Sequence, residues 1–302
     1  MGLLAKAARS ALGGGVPGAI AMVLQVLLLM WLRTTVNFQM VQGMSTLAAM
    51  RFLYAEGGIP RFYRGLWAAL IQGPLSRFGD TAANAGVLAL LEPRSEIPVA
   101  AKTMLASLAA GCWRVVILPI DKVKTVLQVH GAEGMANLVN TLKSDGVGSL
   151  YEGAAGATLA TVLGHYPWFL TNNFLEKRAP PAERPRAKLV RRAGIGFCSS
   201  FASDCVSNGM RVVKTYKQAS LVPLTYVECV RAIVAADGVG GLFWRGLLAK
   251  IVCNGIQSIL FSILWKMLMD HMNEKPGKDP KKLTCGKEPP DAKERADAKH
   301  LL

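Results

Sequence analysis

One ten-residue stretch, PIDKVKTVLQ (Pro119–Gln128), recurs along the chain. It returns as GMRVVKTYKQ (Gly209–Gln218), sharing Val-Lys-Thr and the final glutamine, and more faintly as MWLRTTVNFQ (Met30–Gln39). The closing glutamines, Gln39, Gln128 and Gln218, stand 89 and 90 residues apart. After each comes a short amphipathic stretch: MSTLAAMRFLYAEGG, MANLVNTLKSDG and LTYVECVRAIVAADG. An aromatic-x-glycine turn then follows each time: YRG (Tyr63–Gly65), YEG (Tyr151–Gly153) and WRG (Trp244–Gly246). Two motifs held in register at one long period mark a repeat architecture. Three copies of helix, amphipathic helix, glycine turn and helix fill nearly the whole chain to residue 270.

Six segments are long and apolar enough to span a bilayer, at about 14–38, 67–91, 99–126, 154–175, 193–216 and 247–270. A span needs about 20 residues. The chain is 51% hydrophobic yet carries a formal charge of +15, an excess that suits nucleic acid or an anionic membrane surface. No nucleic-acid-binding signature is present, and the aromatics sit in the apolar segments, so membrane is the better reading. Each segment also carries small and polar residues, as in AGIGFCSSFASDCVSNGM. Small residues let helices approach closely, and polar ones then face an interior rather than lipid. The expected fold is an all-α membrane protein: six transmembrane helices in three pseudo-symmetric repeats, with short amphipathic helices between them. The parts are an N-terminal segment (1–11), repeats at 12–95, 96–180 and 181–272, and a solvated charged tail (273–302).

Proline removes a backbone donor and clashes with the preceding turn. The third long helix should therefore bend at Pro119, while the first and fifth should run straighter through Met30 and Gly209.

These residues resemble the mitochondrial carrier family, whose repeats end each odd helix in P-x-[DE]-x-x-[KR] and open each even helix with an aromatic-basic-glycine turn. Pro119, Asp121, Lys124 and Gln128 match the first motif, and Tyr63–Gly65 and Trp244–Gly246 match the second. The resemblance covers roughly residues 12–270 and implies a transporter of the mitochondrial inner membrane, multi-pass, with both termini toward the intermembrane space. It implies a matrix gate in which the acid of one repeat pairs with the base of the next, braced by Gln39, Gln128 and Gln218. It also implies turns that offer backbone N–H groups to cardiolipin phosphate, here Arg64, Gly65, Gly153, Arg245 and Gly246, with Glu152 repelling phosphate at the second.

The chain departs from that pattern. Repeat three has Gly209 for the proline, Arg211 for the acid and Lys214; repeat one has Met30, Leu32 and Thr35. Only Asp121 with Lys214 can pair as the family expects. Lys124 would face Leu32, and Arg211 would face Thr35. The outer gate, about twenty residues after each turn, falls on Asn84, Asn173 and Lys266, so no ring of ion pairs can close it. The central contact points fall near Gln72, Ala160-Thr161 and Cys253-Asn254, with Arg77, Asp80, His165 and Lys250 close by. Arg77 reads equally as an anion contact or as a partner of Asp80; His165 reads first as a bundle residue and second as a substrate or proton contact.

Six cysteines, without a C-x-x-C pair, read as small buried or lipid-facing residues. The start, MGLLAKAARSALGGG, is weakly basic without a cleavage pattern, and Lys6 stands where myristoylation wants Ser or Thr. The basic loop Glu176–Arg192 suits anionic headgroups or an acidic partner as well as plain solvent. There is no metal cluster, no nucleophile with a base and no phosphate loop, so neither catalysis nor a cofactor is expected. Two functions stay open. One is transport of an unidentified small solute, neutral or weakly anionic, with atypical gates. The other is a transport-inactive carrier-fold scaffold or accessory subunit of an inner-membrane assembly, such as a respiratory complex.

Overall fold

The computed structural model describes residues 3–91, 96–182 and 184–273. Among them it is all helix, with no strand: α1 (Leu3–Gln42), α2 (Thr46–Phe62), α3 (Leu66–Leu91), α4 (Val99–Val116), α5 (Leu118–Asp145), α6 (Ala154–Arg178), α7 (Pro185–Ala219), α8 (Tyr226–Trp244) and α9 (Leu247–Asn273). The chain divides into a compact unit, Met1–Trp265, and a second, Lys266–Leu302. The packing below is that of the first.

The α4–α5 junction follows from local chemistry. Pro119 cannot donate to the carbonyl four residues back, and its ring crowds that turn. The helix breaks at Ile117 (φ −90°, ψ 0°), and the two parts bend by 65°. α1 passes Met30 and α7 passes Gly209 without a break. The second half of α5 turns again at Gly131 and forms the amphipathic piece that α2 and α8 supply in the other repeats.

Counted by long helices alone, α1, α4–α5 and α7 are the odd helices and α3, α6 and α9 the even ones, and each even helix opens on the turn glycine. Gly65, Gly153 and Gly246 have φ of 78°, 93° and 66°, a left-handed backbone that side chains disfavour. That shared conformation is why an x-glycine recurs in all three repeats.

Neighbouring long helices pack in the order α1, α3, α4, α6, α7. α9 closes the ring against α1, where Gln25 Nε2 donates to the Gln257 carbonyl at 2.9 Å, and against α7, where Asn254 Nδ2 donates to Asp204 Oδ2. Asn208 on α7 holds the end of α8 and the turn before α9, donating to the Phe243 and Arg245 carbonyls at 2.7 and 3.2 Å. Small residues set the spacing: a Cβ on Gly79 would lie 1.8 Å from the Trp113 ring. Apolar clusters sit where the odd helices end. Val36 and Met40 pack on Val212, Val213, Cys229 and Ile233, and Phe38 packs on Ala49, Leu53 and Val129.

Among the described residues, Tyr226–Leu260 is apolar and long enough to cross a membrane, and the bent pair Ala101–Val116 and Leu118–Asp145 passes the same test together. Other long helices carry charges inside, such as Asp204, Arg211 and Lys214 on α7, which lowers their apolarity.

Candidate functional site

The odd helices converge at one end of the bundle, where the recurring motif lies. Asp121, in the first turn of α5, is buried. Its Oδ1 accepts from Lys124 Nζ at 2.6 Å, one turn along the same helix. Its Oδ2 accepts from Lys214 Nζ, on α7, and from Gln218 Nε2 at 3.5 Å. Gln128 Oε1 accepts from Asn37 Nδ2 at 2.5 Å, and its Nε2 donates to Met30 Sδ at 3.6 Å. This ties repeat two to repeat one without any charge.

Two of the expected gate residues lie elsewhere. Gln39 Nε2 turns to the Met44 carbonyl and Thr46 Oγ1, both at 3.1 Å, capping the link to α2 rather than bracing the ring. Arg211 turns away from the ring. Its Nε donates to Ser207 Oγ at 2.9 Å, and its Nη2 lies 4.0 Å from Asp204 Oδ1. Thr35, its expected neighbour, is bonded back to the Trp31 carbonyl, and Arg211 lies instead against the buried carboxylate of Asp204 on its own helix.

The three odd-helix ends share a second feature that the sequence reading missed. Each exposes a terminal carbonyl, which a cationic or imidazole group can cap. Arg61, fully buried, donates to the Gln128 and Val129 carbonyls at 2.8 Å each and pairs with Glu56 at 2.9 Å. Arg245 donates to the Val41 carbonyl at 3.0 Å and pairs with Asp237 at 2.7 Å. His130 Nε2 lies 2.8 Å from the Ala219 carbonyl. Burial holds this imidazole below its ordinary pKa. In repeat two the turn residue is an acid, Glu152. It is neutralised by Lys122 at 2.5 Å, so the repulsion expected of it is countered within the protein. Arg245, buried by its cap, is not presented outward, whereas Arg64 is partly exposed and pairs with Glu56 at 2.8 Å.

Above the Asp121 end, three adjoining cavities of about 260, 440 and 220 Å³ run through the bundle. The smallest joins Gln72 and Thr161 to Asp121, Lys124 and Lys214. The 260 Å³ chamber joins Arg33 to Lys250, Cys253 and Asn254. The largest is lined by Arg77, Asp80, Arg114, Asp204 and Arg211, and reaches Arg192 beside the α6–α7 connection. Among the described residues the three present eight cationic side chains against Asp80, Asp121 and Asp204. Asp80 takes Arg114 Nη2 at 2.6 Å, and Asp204 accepts from Asn254. His165 packs edge-on against Phe169, 6.3 Å between ring centres. Asn173 is exposed, and the side chains of Asn84 and Lys266 lie outside the described residues.

Arg33, Arg114, Asp204 and Gln257 were not singled out from the sequence. A signal was present: Gln25, Arg114 and Asp204 each stand fourteen residues before the repeat's final glutamine, and ionisable groups within apolar helices mark polar interiors.

No curated protein matches the chain. The family described as mitochondrial carrier protein matches residues 95–180 and 185–276, more than half of the sequence, which include the Pro119–Gln128 stretch, Asp121 and Lys214. The chain therefore belongs to the mitochondrial carrier family, a family of membrane transporters.

Proposed function

We propose that this carrier moves a small anionic solute across the mitochondrial inner membrane. Six transmembrane helices (α1, α3, α4 with the start of α5, α6, α7 and α9) surround its path in three pseudo-symmetric repeats. The amphipathic pieces lie along the matrix face, both termini face the intermembrane space, and Asp121 with Lys214 holds the matrix end closed. The observation that carries this reading is the charge of the cavity, eight cations against three carboxylates. Such a lining concentrates anions and repels cations. It moves the expectation from a neutral or weakly anionic solute to a fully anionic one.

The scaffold reading draws on the ring, which has one acid where the family pattern has three. Open space reaching Gln72 and Arg77 speaks against a filled, inert bundle. Cardiolipin phosphate at the turn glycines remains part of the proposal, with Arg64 the exposed cation beside the first.

The test is purified protein in liposomes loaded with an internal anion. Saturable exchange of carboxylates, phosphate or nucleotides is expected. Uptake of neutral solutes alone, or of none by folded protein, would sink the anion reading.

A further inference from the structure

Among the described residues, the 260 Å³ chamber is lined by three cations and no carboxylate. Each cation comes from a different repeat: Arg33 from α1, Lys124 from α5 and Lys250 from α9. Their present partners leave charge over. Arg33 Nη2 donates to a neutral amide, Gln257 Oε1, at 3.0 Å. Among the described residues no carboxylate lies within 4.0 Å of Lys250. Lys124 divides itself between Asp121 at 2.6 Å and Gln72 Oε1 at 3.2 Å. Amides of Asn37, Asn254 and Gln257 complete the wall, and the same Lys250, Asn254 and Gln257 face the 440 Å³ chamber.

Resting on the anion-carrier reading, we infer that Arg33, Lys124 and Lys250 form one oxyanion site, and that its occupant competes with Asp121 for Lys124. Three partly dry cations that share a single carboxylate, the one on Lys124, are costly, and a multiply charged oxyanion offsets that cost for all three at once. Charge-assisted bonds to an oxyanion are also the stronger kind. The chamber holds a phosphoryl group or a short carboxylate-bearing fragment, at about 30 Å³ per water-sized portion of volume. The rest of the solute extends past Lys250 into the larger chamber. The site lies beside the contact points expected at Gln72, Thr161 and Cys253, and it supplies the charge those positions lack.

The link to Asp121 gives the inference a signature of opposed signs. Coupling between two sites is reciprocal. If the anion and Asp121 compete for Lys124, removing the carboxylate must tighten anion binding, while removing a cation must weaken it.

The experiment uses the full chain in detergent. Inorganic phosphate, an organic phosphate monoester and a small dicarboxylate are titrated separately, and apparent Kd is read from the rise in unfolding temperature. The stronger arm names the headgroup. Arg33→Gln and Lys250→Gln should each raise Kd about tenfold, the scale of one lost charged hydrogen bond. Lys250→Arg should bind near wild type, which also guards against loss of fold. Asp121→Asn should lower Kd. Wild-type anion binding that is unchanged in both Arg33→Gln and Lys250→Gln overturns the site and leaves the anion-carrier reading standing. Weaker binding in Asp121→Asn overturns the competition. Absence of anion binding by folded wild type overturns site and reading together.

Discussion

Lys214 of the third repeat donates to Oδ2 of Asp121 in the second, a buried carboxylate at the point where the odd helices meet. Lys124 takes the other oxygen at 2.6 Å. Two cations thus depend on one buried acid. Asp121→Ala leaves both without counter-charge, at a cost of about 3–5 kcal/mol for a broken buried pair. Removing the acid and Lys214 together should cost less than the two single losses combined, because the pair is coupled. Thermal unfolding in detergent of the two single variants and the double variant measures this. Wild-type stability in Asp121→Ala would show that the pair does not hold the closed end.

The helix-end caps predict a contrast between two neighbouring arginines. Arg61 holds two carbonyls of α5, and Arg64, three residues on, pairs with Glu56 at the surface. Arg61→Met should lose about 3 kcal/mol or more, since bonds to a charged donor contribute about 1.5–3 kcal/mol each. Arg64→Met should lose less than about 1 kcal/mol, as exposed pairs do. Equal losses would mean that the carbonyl caps contribute nothing.

The contrast also shows where the sequence stops being informative. The final glutamines, the turn glycines and Pro119 could be read directly because each answers a local backbone demand at a fixed spacing. Arg61 and the Gln128 carbonyl are 67 residues apart, and nothing local marks them as partners. Arg211 stands in an acid's position, but it turns along its own helix to Asp204, a partner that lies outside the repeated ten-residue motif. Gln39 matches Gln128 in the alignment of repeats, yet it follows the link into α2. Position in a repeat fixes the backbone; the side chain's partner depends on what the other two repeats offer.

His130 should make the closed end sensitive to acid. Its Nε2 lies 2.8 Å from the Ala219 carbonyl, so this nitrogen carries the proton of the neutral ring. Burial lowers its pKa from 6.5; the Ala219 bond opposes the shift, nearby Arg61 adds to it, and Glu133 and Glu56 oppose it. The unfolded chain then binds a proton more readily than the folded one. Stability from this group is full above 6.5 and falls as pH drops from there through the lower folded value. Glutamine keeps an N–H donor without titrating, so His130→Gln should flatten the fall in unfolding temperature between about pH 7 and 5. An identical fall in both proteins would assign the acid sensitivity to other groups.

Lys124 and Lys214 touch the same carboxylate, but they cannot have the same effect on transport. Lys124 is one turn from Asp121 on α5, so their bond holds no two helices together. Lys214 sits on α7, so its bond spans the seam between repeats two and three. If that end is the gate, its closure depends on Lys214 rather than on Lys124. In Lys214→Ala, Asp121 retains Lys124 as counter-charge, and the chain still folds while the seam loses its charged tie. In Lys124→Ala the tie survives. A bond between charged groups contributes about 1.5–3 kcal/mol, which is roughly a ten- to hundredfold change in the population of an open end. Lys214→Ala should accordingly raise unidirectional efflux from loaded liposomes that lack an external counter-anion, whereas Lys124→Ala should leave efflux low and weaken exchange through poorer anion binding. Equal efflux from the two variants would mean that packing of the helix ends, and not the tie between Asp121 and Lys214, closes the path.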